Sequence, residues 1–148
     1  MDNSQKADAL AGVSFFRQIA RSDIERIARV CTERSYSAGD AIVSEGEPGV
    51  AMFIIISGQA EATKGGQSVH TFSAGEFFGD MALFQGFPRS ATVTATTDVD
   101  TLAMTEWDFQ AELRTTPGLQ TQVLKVIVRR LRDTTAELAE QRGDAHVD

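Results

Sequence analysis

One cysteine, Cys31, occurs in the chain, so no internal disulfide can form, and a single thiol suggests a reducing compartment. It falls on one helical face with Ile24, Ile27 and Ala28, where cysteine packs as a small hydrophobe. Histidine is nearly as scarce. His70 and His146 do not make the His-rich cluster that a metal-dependent enzyme on a small β-barrel needs, and no nucleophile–base pairing is visible. The reading is therefore no catalytic residue, no metal site and no cofactor. No stretch approaches the ~20 apolar residues of a membrane helix, and the run MFIII at 52–56 has the length of a buried strand. The start, MDNSQKADAL, lacks a basic segment followed by an apolar block, so no secretion signal is read and the expected location is the cytoplasm, with no direct membrane insertion. Positive charge is also short: 14 Lys and Arg stand against 21 Asp and Glu, a net charge of −7 that argues against general nucleic-acid binding. Neither GxxxxGK[ST] nor GxGxxG occurs, so triphosphate and dinucleotide modes are unsupported.

What is present fits one domain: 148 residues, 42% of them hydrophobic and 24% charged. Residues 1–13 read as a loose or weakly helical leader. Ser22-Asp23-Ile24-Glu25 has capping-box spacing and predicts a helix running to about Arg34. From 35 to 78, turn signals such as Ala38-Gly39-Asp40 and Lys64-Gly65-Gly66 separate the short runs AIV, AMFIII, AEAT and VHTF. That spacing predicts an antiparallel sandwich or barrel. RSATVTAT (89–96) and VDTLAM (99–104) read as further strands. Thr105 caps a helix in EWDFQAELR, and Thr116-Pro117 reads as the N-cap and first residue of a long helix over 117–140. Leu124, Leu131 and Leu138 fall seven apart, which fits either a seam for another helix, in this chain or a second copy, or a helix lying on its own sheet. Trp107 and the phenylalanines are expected in the core, and the Thr92 hydroxyl as an ordinary strand hydroxyl.

The chemistry concentrates in residues 78–92, FGDMALFQGFPRSAT. Gly79 lets the backbone approach a ligand closely. DMALF predicts a short helix from Asp80, whose free N–H groups favour an anion. Arg89 offers a rigid fork of donors suited to phosphate oxygens, and Ser90 can donate a hydroxyl to the same oxygens. Asp80 can accept from a sugar hydroxyl or act as a helix N-cap. A phosphate and a sugar hydroxyl in one compact pocket describe a small nucleotide.

This segment resembles the phosphate-binding cassette of cyclic nucleotide-binding domains, with F-G-D-M-A-L…P-R-S-A-T-V where the family has F-G-E-[LM]-A-L…P-R-[ATS]-A-[TSN]-V. The likeness extends through EGEPGVAMFIIISGQAE and FSAGEFFGD and covers about residues 14–140, leaving 141–148 as a tail. It is close to the domains of bacterial cyclic nucleotide-gated potassium channels and is related to catabolite activator proteins. The resemblance implies an α+β fold: an antiparallel, jelly-roll-like β-roll flanked by an N-terminal helix, a short phosphate-binding helix and C-terminal lid helices. It implies a sensor of a 3′,5′-cyclic nucleotide, cAMP before cGMP, that signals to an unknown effector protein through its C-terminal helix, with a homodimer through that helix as a possible assembly. The runner-up is an interaction domain that keeps the fold without binding nucleotide. Carried over by position, Gly79 and Ala82 give backbone N–H groups to the ribose and phosphate, Asp80 accepts the ribose 2′-hydroxyl, Arg89 pairs with the cyclic phosphate and Ser90 adds its N–H and hydroxyl. Met81 and Ala91 complete the site. Arg130 either touches the purine from the lid or belongs to a solvated basic face in RRLR. The family has Glu where this chain has Asp80, one methylene shorter, which bears on affinity more than on fold. A helix-turn-helix of the catabolite-activator type needs several tens of residues beyond the lid helix, and the sequence ends sooner.

Overall fold

Residues 1–79 and 88–141 are described in a computed structural model of the chain, with the side chains of 130, 134 and 137–141 outside the description. The elements follow in the order α1 (Asn3–Ala11), a 3-10 turn (Ser14–Phe16), α2 (Arg21–Val30), eight strands, α3 (Glu106–Thr115) and α4 (Leu119–Gln141). The strands are β1 (Thr32–Tyr36), β2 (Ala41–Val43), β3 (Ala51–Ser57), β4 (Ala60–Lys64), β5 (Gln67–Phe72), β6 (Phe77–Phe78), β7 (Thr92–Ala95) and β8 (Val99–Thr105). They form two four-stranded antiparallel sheets, ordered β1-β8-β3-β6 and β2-β7-β4-β5. This is the antiparallel two-sheet β-roll with flanking helices, the fold the sequence implied.

The run AMFIII explains how the layers stack. A strand turns alternate side chains to opposite faces. In β3, Phe53 and Ile55 therefore enter the core between the sheets, with Ala60, Ala62, Phe78 and Val93. Met52 and Ile54 enter a second core, where helices cover the outer face of the same sheet with Phe15, Phe16, Ile27 and Phe109. Leu102 and Met104 of β8 join that second core, while Ala103 faces the first. A strand buried on both faces reads as a continuous hydrophobic run.

Of the two readings of the leader, loose or weakly helical, the structure shows the helical one. Asp2 and Gln5 form a reciprocal capping box at the start of α1. Ala7 and Leu10 are fully buried, and Asn3 and Lys6 donate to the carbonyls of Glu25 and Cys31 at 3.0 and 3.1 Å. Ser22 does not cap α2, which begins after Ala20 with no side-chain cap. Nor does α2 reach Arg34. It stops at Val30 because Thr32–Tyr36 pair with Val99–Ala103 of β8, so sheet hydrogen bonds outcompete helix propensity there. The expected inward face of α2 is correct: Ile24, Ile27, Ala28 and Cys31 are buried. Burial pushes the Cys31 thiol up to about 12, with Lys6 opposing that shift. Its folded-state value thus lies above the ordinary thiol value, so the native state holds the neutral form and loses relative stability as pH rises from about 8.5 towards 12. Cys31 should therefore resist alkylation in the native protein at pH 9 and react at once in denaturant, as followed by mass spectrometry.

At the C-terminal end, the Thr105 hydroxyl caps α3 by accepting from the Asp108 N–H at 3.1 Å. Thr116 is no N-cap. Its hydroxyl lies between α2 and α3, accepting from Arg26 at 2.8 Å and bonded to Glu112 at 3.2 Å, and Pro117-Gly118 form the turn before α4. Arg26 also pairs with Glu112 at 2.9 Å. Trp107 is not in the core: it is 83% exposed, while Phe109, two residues on, is the side chain of α3 that points inward. A 100° step per residue puts those two positions on nearly opposite sides of a helix. On α4, Leu119, Val123 and Val126 face the core, whereas Leu124 and Leu131 are 60% and 67% exposed, with Ile127 and Val128 beside them. The leucine repeat is thus directed away from this domain's own core. The Leu138 side chain lies outside the described residues.

Candidate functional site

Two backbone segments are laced together to present Arg89. The Arg89 N–H donates to the Glu47 carbonyl at 2.8 Å and the Gly46 N–H donates to the Arg89 carbonyl at 2.9 Å. Pro48 and Pro88 form an isolated antiparallel bridge beside them. The Thr92 hydroxyl is more than a strand hydroxyl: it accepts the Glu45 N–H at 2.9 Å and so extends the lacing by one residue pair.

The Arg89 side chain runs inward and is only 9% exposed. Its Nη2 donates to the Ala51 carbonyl at 2.8 Å, and its Nη1 reaches the Gly79 carbonyl at 3.5 Å. The guanidinium lies over the Phe53 ring, 5.9 Å from the centroid. Burial lowers the Arg89 pKa from its ordinary value, and the negative charge of Glu47 opposes that shift in part. Among the described residues, no carboxylate lies within ion-pair distance of it. A buried cation without a counter-charge is costly unless an anion joins it.

Gly79 is where the sequence expected close approach, and the structure shows what approaches. Its φ is +79°, in the left-handed region, and a Cβ there would come within 2.5 Å of Arg89 Nη1 and 2.9 Å of the Ala51 carbonyl oxygen. Any larger residue would therefore displace the guanidinium or the β3 backbone.

Beside Arg89 opens a cleft of about 300 Å³ with an apolar floor that includes Ile42, Val43 and Phe53 and a polar rim of Thr32, Arg34, Tyr36, Glu47 and Thr105. Among the described residues, none of α4 lines this cleft. Of the residues singled out by sequence, the structure brings Gly79 and Arg89 together, leaves Ser90 exposed and half-buries Ala91. Asp80, Met81, Ala82 and the expected short helix lie outside the described residues. Arg130 is carried by α4, and its side chain is likewise outside the description. Sequence reasoning missed the Ala51 carbonyl as a partner of Arg89, because a backbone acceptor leaves no residue-type signal. It also missed Arg34, which belongs to the segment misread as helix.

The comparisons with known proteins agree with this architecture. The model of the cyclic nucleotide-binding domain family matches residues 33–116. The chain belongs to that family. It is 35% identical over 121 residues to a cyclic nucleotide-gated potassium channel of Rhizobium etli, covering 82% of this chain and 34% of the channel. It is 33% identical over 114 residues to a cAMP-dependent protein kinase regulatory subunit of Colletotrichum orbiculare, covering 76% of this chain and 29% of the subunit. The chain thus spans about a third of the length of these relatives. In structure it is similar to the catabolite activator protein of Thermus thermophilus, with a TM-score of 0.80 and 28% identity over 87% of this chain and 63% of that one. The family matched is that of cyclic nucleotide-binding domains, and the relative in Colletotrichum orbiculare is a regulatory subunit. No described helix is long and apolar enough to cross a membrane.

Proposed function

We propose that this domain is a cytoplasmic, non-catalytic sensor that binds a 3′,5′-cyclic nucleotide, cAMP in preference to cGMP, without a further cofactor. The observation that carries the reading is Arg89, a buried guanidinium with no carboxylate partner among the described residues. Its fork suits the cyclic phosphate, and a phosphate there would supply the missing charge. Ser90, exposed one residue on, adds its N–H and hydroxyl. Gly79, Met81, Ala82 and Ala91 complete the cassette, and Asp80 accepts the ribose 2′-hydroxyl. The output is a shift in the position of α4, because ligand contacts that differ between two helix positions bias their populations. Arg130 touches the purine in the closed position. The outward stripe of Leu124, Val128 and Leu131 pairs with a second copy of the chain or with the effector. Calorimetric titration of the purified chain is expected to give saturable heat with cAMP at micromolar concentrations, and no heat with either cyclic nucleotide at high micromolar concentration would sink the proposal.

One observation favours a second reading, an interaction domain that keeps the fold and binds no nucleotide. The Arg89 guanidinium is already bonded to the Ala51 and Gly79 carbonyls, as a purely structural arginine would be. The Asp80→Glu variant separates the two: a change from no binding to tight binding supports the interaction domain that has lost nucleotide binding.

A further inference from the structure

His70 has no role assigned by the sequence, and the role argued for it rests on the reading that the domain binds a purine cyclic nucleotide. In the β4–β5 register, Ala60 faces Phe72 and Ala62 faces His70. Ala60 and Ala62 belong to the core between the sheets, with Phe72 packed against it. Directly opposed residues share a face, so His70 also lies on the inner face of its sheet. It is nonetheless 51% exposed at its side chain. His70 therefore stands where the space between the sheets opens to solvent.

Its neighbours lead to the cassette. The ring meets Phe72 edge-on at 4.5 Å, Phe72 packs on Phe78 at 5.2 Å, and Phe78 stacks on Phe53, over which Arg89 lies. Gly79 follows Phe78 directly. A row of rings thus joins His70 at the open mouth to the buried guanidinium.

The proton on the ring is placed by its partner. His70 Nε2 lies 2.8 Å from Glu76 Oε2. An ionised carboxylate only accepts, so Nε2 carries the hydrogen, and in the neutral ring Nδ1 is then an acceptor. Glu76 is itself held, since its other oxygen accepts the Ser73 N–H at 3.1 Å and its carbonyl accepts the Ile55 N–H at 2.9 Å. Among the described residues, Nδ1 has no hydrogen-bond partner.

We propose that His70 is a purine-selecting residue: Nδ1 accepts a hydrogen bond from the exocyclic amine of adenine, and Glu76 positions the ring and fixes its tautomer. Adenine carries a donor at its six position, where guanine carries an oxygen acceptor. An acceptor facing that edge rewards cAMP and repels cGMP.

The test is calorimetry with cAMP and cGMP titrated separately into the wild-type chain and the His70→Leu and Glu76→Gln variants. The wild type is expected to prefer cAMP. His70→Leu should lower the cAMP-to-cGMP affinity ratio about tenfold, the scale of one hydrogen bond. Glu76→Gln should lower the ratio in the same direction, because a side-chain amide can donate as well as accept and no longer fixes the tautomer. Both side chains are partly exposed, so circular dichroism should show all three proteins folded. An unchanged ratio in His70→Leu overturns the proposal while leaving nucleotide binding intact, as does a wild-type preference for cGMP. Binding of neither nucleotide by the wild type overturns the underlying functional reading instead.

Discussion

Arg89→Gln should weaken cAMP binding on the order of 100-fold while the domain still folds. Glutamine retains part of the reach and one donor group but removes the charge and the fork. Hydrogen bonds to charged groups contribute about 1.5–3 kcal/mol each, and the fork makes two of them to a phosphate, so a loss of about 3 kcal/mol is the expected scale. Two opposing changes act on stability. The variant loses the bonds to the Ala51 and Gly79 carbonyls, and it also removes a guanidinium held at 9% exposure with no carboxylate partner among the described residues. Calorimetry set beside a thermal melt reads the two effects apart. Weak binding with a near-native melting temperature supports the ligand role. A large fall in melting temperature with unchanged affinity supports the purely structural arginine. Arg89→Lys refines the result, since it keeps the charge and loses only the fork.

Leu102→Ala should lower stability by about 3 kcal/mol, within the range for a fully buried leucine in a close-packed site. Leu102 is the middle residue of β8, paired on one side with Glu33 of β1 and on the other with Ile54 of β3. Its side chain is completely buried in the core beneath the helices. Because β8 has a neighbouring strand on both sides, its backbone has little freedom to collapse into the cavity. Roughly 10 °C of melting temperature should be lost in a domain of this size. Val69→Ala on the exposed face of β5 provides the contrast, with a change within about 0.5 kcal/mol. If the two variants melted together, the assignment of Leu102 to a tightly packed core would be wrong.

The parts of the fold that were legible in the sequence share one property: their own residues carry the signal. The runs AIV, AMFIII, AEAT, VHTF and VDTLAM all became strands, because β-branched and apolar residues bounded by glycine turns have few other stable uses. Thr105 was readable as a cap because the hydroxyl and the N–H it accepts are three residues apart. Arg89 and Gly79 were readable as a pair through the cassette pattern alone. The misread positions depend on partners distant in sequence. Thr32–Arg34 looks like the end of a helix until β8 is brought beside it, about seventy positions away in the chain. Thr116 looks like an N-cap until Arg26, ninety positions earlier, takes its hydroxyl. Trp107 looks like core because it is large and apolar, and only the angle at which α3 packs turns it outward.

The sequence by itself therefore determined most of the strands, the buried character of the run in β3 and the family pattern of the cassette, since each of these is a local sum of propensity, periodicity and turn chemistry. Tertiary structure alone decided which face of α4 is left outward, that the Ala51 carbonyl is what holds Arg89, and that His70 lies on the inner face of its sheet with its Nε2 tied to Glu76. The reason is physical: register and packing angle are set by long-range pairing, and the hydrogen-bonding state of a side chain is set by whatever that pairing brings within 3 Å.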